Sequence, residues 1–228
     1  MHERGKPMKK IITFILSVIM LVNLSAFTSF ANENVAARKI SFEQMITRYF
    51  EHKDTTVVLN KAGRDITSEF FSYNTVYFNN GDYQSIRNYI ESNVSNLSYR
   101  VESSIENKVA VNAMGISKYV SQYDSFLISD KYGHKGYLTM EVGGTLIYNP
   151  NSGEMLRAYN AKLVRSEYSD LQDWTLTSRN VRTSSSISPD KFKAFFTASL
   201  RSIGTYSHYS EEFDFGIHQL TVSAEAGN

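Results

Sequence analysis

Asp170 and Asp173 stand three positions apart beside Trp174, the only tryptophan in the chain. Glycoside hydrolysis needs two carboxylates flanking a scissile bond at a defined separation, and an aromatic neighbour suits sugar chemistry. The same residues, Ser169-Asp170-Leu171-Gln172-Asp173, also read simply as a turn, where Asp accepts local backbone hydrogen bonds. A second cluster is His208, Glu211, Glu212, Asp214 and His218. Period-2 alternation places Glu212, Asp214 and His218 on one strand face, with His208 across a hairpin. Such nitrogen and oxygen donors suit zinc, manganese or calcium. The simpler expectation is a solvated face opposite Phe213, Phe215 and Ile217, as a half-buried strand requires. A third candidate, His134, sits in Asp130-Lys131-Tyr132-Gly133-His134-Lys135-Gly136, which reads as a hairpin tip.

Other chemistries find no support. The chain has no cysteine, which excludes thiol nucleophiles and bacterial lipoprotein attachment. Gly-x-Ser-x-Gly is absent: Gly115-Ile116-Ser117-Lys118 lacks the second glycine. There is no His-x-x-x-His, no Cys/His knuckle and no Gly-rich phosphate loop. The hydroxyl cluster Thr183 to Ser186 is expected in a loop before Pro189. No cofactor is expected.

The most unusual feature is tyrosine. All 15 tyrosines, with 11 of the 14 phenylalanines, follow residue 31. Tyrosine has an apolar body and a polar tip and is enriched at binding surfaces. Tyr137, Tyr148 and Tyr159, with Trp174, are candidates for a ligand-binding aromatic face. The competing expectation is that tyrosine fills half-buried strand positions, which its propensity favours.

The elements that must position these residues fall into two parts. Ser41 and Gln44 have the spacing of a capping box, with Ile40 and Met45 at staple positions. Phe42, Met45, Ile46, Tyr49 and Phe50 then recur at helical spacing, predicting a helix over 41–52. Thr55 to Leu59 is a β-branched run, expected as a short strand. Residues 67–78 suit either element; a helix capped by Thr67 and closed by Gly81 is the expectation, near 68–79. Asp82 reads as the cap of a further helix, with Ile86, Tyr89 and Ile90 on one side, near 82–94. From about Leu97, polar and apolar residues alternate between turn signals. Leu138, Met140 and Val142 alternate with Tyr137, Thr139 and Glu141; Asn149-Pro150-Asn151-Ser152-Gly153 is a turn; Phe192, Ala194, Phe196, Ala198 and Leu200 alternate strictly. The expected fold is α+β: N-terminal helices packed on a mostly antiparallel β-sandwich or curled meander over about 97–225.

The first 31 residues read as an export signal. Arg4, Lys6, Lys9 and Lys10 precede an apolar run from Ile11 to Phe27, and Ser29-Phe30-Ala31 is a small-x-small cleavage site. Either Met1 or Met8 suits as the start. Cleavage after Ala31 leaves 197 of the 228 residues, with 20 basic against 22 acidic, as a single extracellular domain: a helical part 32–96 and a β part 97–228. That balance gives no electrostatic reason to expect nucleic acid or an anionic membrane. An exported chain without cysteine must be held by its core, which suits a Gram-positive source. The leading expectation is a secreted, non-enzymatic binding domain for a cell-wall glycan, surface polymer or protein. The alternatives are a hydrolase with an unrecognised acid-base or metal site, and an inhibitor or immunity-type protein with one cognate partner.

Overall fold

A computed structural model describes residues 35–104, 115–171, 173–208 and 211–226. The expected export segment lies outside them. The fold is α+β: three helices and two sheets. Two short strands, β1 (Val35–Ala36) and β2 (Arg38–Lys39), lead into helix α1 (Phe42–Glu51). After a 3-10 turn come β3 (Thr56–Asn60), α2 (Thr67–Asn79) and α3 (Tyr83–Asn93). Seven long strands follow: β4 (Val94–Ser104), β5 (Ile116–Ser129), β6 (Lys135–Tyr148), β7 (Met155–Ser169), β8 (Trp174–Ile187), β9 (Lys193–Tyr206) and β10 (Glu211–Glu225).

The helices start where local chemistry sets them. Ser41 Oγ accepts from the Gln44 amide and Gln44 Oε1 accepts from the Ser41 amide, each at 3.0 Å, completing the capping box. Asp82 accepts from the Ser85 amide at the head of α3. At α2 the expected cap moves: Asp65, not Thr67, accepts the Thr67 amide, at 2.9 Å. The Thr67 hydroxyl instead accepts from the Val58 amide of β3. Gly81 closes α2 with φ +69, a left-handed conformation that costs glycine little.

The six-stranded sheet runs β2-β7-β6-β5-β4-β3 and the other runs β1-β8-β9-β10. Every pairing among the long strands is antiparallel; only the two-residue β2 runs parallel to β7. Alternation works on β6 because both faces are covered. Leu138, Met140 and Val142 join one buried cluster with Leu176, Phe196, Ala198 and Leu220 of the other sheet. Tyr137 belongs to a second cluster with Met45, Ile46, Phe70, Ile86 and Tyr99. The sheets approach so closely that a Cβ on Gly144 would lie 2.1 Å from the Phe196 ring. On β9, Ala194, Phe196, Ala198 and Leu200 point inward as expected, but Phe192 precedes the strand and is exposed. Thr183 to Ser186, expected in a loop, lie within β8, paired with Ala198 to Phe195 of β9.

The second cluster takes up seven of the 15 tyrosines: Tyr49, Tyr99, Tyr123 and Tyr137 inside it and Tyr77, Tyr83 and Tyr89 packed against it. Tyr49 of α1 is fully buried, with rings of Tyr99 and Tyr123 at 5.4 and 5.8 Å. Its hydroxyl donates to the Leu97 carbonyl at 2.8 Å and so accepts from Ser125 Oγ at 2.6 Å. Tyr99 lies between Tyr123 and His52, at 4.9 and 4.5 Å. Nearby, the Arg48 guanidinium bonds both carboxylate oxygens of Glu167 on β7 and the Tyr123 hydroxyl. Burial alone would lower the Arg48 pKa, but these partners reverse the shift and hold it charged.

Tyr49→Phe leaves the Leu97 carbonyl and Ser125 short of a partner inside this cluster. The expected loss is about 1–3 kcal/mol in urea unfolding at pH 7. Gly144→Ala is expected to cost about 1–3 kcal/mol in the same experiment, because the added methyl collides with Phe196.

Candidate functional site

Three connections and one helix meet around a cleft of about 360 Å³. It is lined by Gln84 and Arg87 of α3, His134 of the β5–β6 turn, Asp170 and Asp173 of the β7–β8 turn, Trp174 opening β8, and Tyr206 closing β9.

The β5–β6 turn is built on Asp130. Its amide donates to the His134 carbonyl at 3.0 Å, and the Gly133 amide donates back to Asp130 at 3.2 Å. Gly133 holds φ +86, which a side chain would disfavour. The Asp130 side chain is wholly buried, 0% exposed. One oxygen accepts the amides of Tyr132 and His134 at 2.8 and 2.9 Å. The other accepts His134 Nδ1 at 2.8 Å and Trp174 Nε1 at 3.0 Å. Burial alone would raise this carboxyl, but the four donors outweigh it and hold it below the ordinary carboxylate value. An ionised Asp130 also sets the His134 tautomer, with the proton on Nδ1 and Nε2 left as an acceptor. His134 itself is 61% exposed.

The opposite wall is built on an ion pair. Arg87 reaches Asp170 with two nitrogens, at 2.9 and 3.0 Å. Its guanidinium carbon lies 4.3 Å from the Phe42 ring centroid, and its Nε is buried without a partner. Asp170 sits at φ +67, a left-handed turn position that Asp tolerates. His208 stands at the rim, its Nε2 3.4 Å from an Asp173 carboxylate oxygen. The floor is aromatic: Trp174 lies 5.1 Å from Tyr206, to which it is paired across β8 and β9.

The structure thus brings Asp170, Asp173, Trp174, His134 and His208 together from three separately read segments. It does not bring the other candidates there. Tyr137 is buried 5.5 Å from Phe42, on the face of the six-stranded sheet turned toward the helices. Tyr148, at the far end of β6, packs toward the opposite face. Tyr159 is half-buried, with the Arg157 guanidinium 4.9 Å away. With Trp174 buried too, these four rings do not form one open face.

The β10 cluster also separates. Glu212 pairs with Arg179 at 2.6 Å and Asp214 with Arg201 at 3.0 Å. A bulge between Asp214 and Gly216, with Gly216 at φ +95, inserts one extra residue and reverses the faces beyond it. His218 therefore turns inward, 5.5 Å from the Phe126 ring, while Ile217 is 76% exposed. Burial lowers the His218 pKa, opposed by its hydrogen bond to the Phe215 carbonyl at 3.2 Å. Among the described residues, no three His, Asp or Glu side chains are grouped to hold a metal.

Gln84, Arg87 and Asp130 were not singled out from the sequence, and Tyr206 stood there only as one of several tyrosines in or beside the strands. The one signal available was Asp130 itself, four residues before His134 in a Gly-containing tip. No protein-family model matches the chain, and neither a curated protein nor a solved structure is similar to it.

Asp130→Asn puts an amide where two neighbouring donors need an acceptor. The expected destabilisation is about 2–3 kcal/mol at pH 7 by urea unfolding. A carboxyl held low adds stability above its unfolded value, about 3.9, and loses it as pH falls through the lower folded value. The gap between wild type and Asp130→Asn is therefore expected to narrow as pH drops below about 3.9. A gap independent of pH would contradict this role.

Proposed function

We propose that this chain is an exported bacterial protein whose α+β domain, with its helices packed on a β-sandwich, binds an extracellular ligand in this cleft. In this reading α3 supplies one wall, and the turns at one end of the sheets supply the rest. The observation that carries it is the Arg87–Asp170 pair, bonded through two nitrogens and set against the Phe42 ring. A carboxylate so paired is fixed in place as part of a wall, whereas acid catalysis needs a group poised to give up a proton. The mixed polar and aromatic lining is that of a recognition site.

One observation favours a second reading, hydrolysis. A buried carboxylate orienting an exposed imidazole, as Asp130 orients His134, is an arrangement that also serves general-base chemistry. The two readings separate on what happens to the ligand.

The test is co-sedimentation of the purified protein with insoluble peptidoglycan and with intact bacterial cells. Binding through the cleft predicts retention by the wild type, retention largely lost in Asp173→Ala and Gln84→Ala, and no soluble fragments. Fragments released by the wild type and not by His134→Gln would establish the hydrolase. No retention on either material would reject a wall or cell-surface ligand.

A further inference from the structure

We infer that the ligand of this cleft is a neutral saccharide, a conclusion that rests on the binding reading and narrows it to one chemical class. The argument is one of donors, acceptors and charge. Asp170 and Asp173 are acceptors only, and Arg87 is a donor only. Gln84 both donates and accepts, and His134, its Nδ1 proton committed to Asp130, offers an acceptor at Nε2.

Few ligand groups satisfy both kinds of wall. An anion entering the cleft meets two carboxylates, and a cation meets the Arg87 guanidinium. A hydroxyl both donates and accepts, so neighbouring hydroxyls on a ring can bridge an acid and a base already paired with each other. That the Arg87–Asp170 pair is preformed matters: this wall needs no ordering on arrival, which lowers the entropic cost of binding. The half-buried Tyr206 ring, 5.1 Å from the buried Trp174 and tilted by 55° to it, supplies apolar surface for the C–H face of a sugar. A cleft of about 360 Å³ lies at the small end of the range for ligand pockets, suiting a chain end rather than an extended polymer.

Rigidity is the second support. Wholly buried Asp130 ties the His134 wall to the Trp174 floor through a single carboxylate. Arg87, held between Asp170 and the Phe42 ring, fixes the other side. Fixed planar polar groups give directional hydrogen bonding, which is what distinguishes one hydroxyl pattern from another.

Trp174 is the only tryptophan, so its fluorescence reports on this cleft alone. The experiment titrates the purified protein with cellobiose, maltose and di-N-acetylchitobiose, then with inorganic phosphate and lysine, following Trp174 emission and isothermal calorimetry together. The expected result is saturable binding of at least one disaccharide, weakened about tenfold or more in Asp173→Ala. Gln84→Ala, at an exposed helix position, is expected to weaken it too with the circular dichroism spectrum unchanged. Phosphate and lysine are expected to have no effect.

Saturation by phosphate or lysine, or silence toward every disaccharide by both methods, overturns the saccharide assignment. Silence here while the wild type is still retained on cell walls, and the cleft variants are not, leaves the binding reading standing and rejects only the ligand class.

Discussion

A charge removed from water is tolerated only when its hydrogen bonds are satisfied, and the cleft is organised around one such charge. Asp130 is wholly buried and takes four donors from two connections. Two of those donors fold its own turn, one orients His134, and one fixes the indole that opens β8. Remove the acceptor and two turn amides lose their partner, His134 its orientation and Trp174 its anchor together. That coupling makes the site a property of the fold rather than of a mobile loop.

The remainder of the structure serves the same arrangement from below. The helical part reaches the sheet through a buried tyrosine cluster and the Arg48–Glu167 pair. A different helix, α3, with Ile86 and Ile90 in the same cluster, carries Gln84 and Arg87 to the cleft, Arg87 held there by Asp170. Part of the aromatic excess thus joins layers: Tyr49 and Tyr123 unite apolar rings with hydroxyls that find partners inside, and Tyr99 stacks on Tyr123. Tyrosine does there what phenylalanine could not, since the Leu97 carbonyl would otherwise go without that bond.

What could be read from the sequence was what is local. Ser41 with Gln44, Asp82 with Ser85, and the alternation on β6 and β9 are satisfied within a few residues or by one period, and the α+β class followed from them. What escaped was set at long range or by one unusual torsion. Trp174 meets Asp130 across 44 residues and Arg87 meets Asp170 across 83, and no spacing rule encodes either pair. Gly216 at φ +95 reverses the faces of β10, so simple alternation placed His218 beside Asp214 when it turns the other way. Asp170, Asp173 and His134 were visible as residues that could do chemistry. That they share a cleft follows only from how the turns at the ends of β5, β7 and β9 converge.

The most direct measurement of the central claim is a map of backbone amide chemical shifts by two-dimensional NMR during titration with solubilised cell-wall fragments. The account predicts that the largest changes fall on residues 84–87, 130–134, 170–174 and 206. Changes centred instead on the surface around Arg157 and Tyr159, with the cleft residues unmoved, would contradict it.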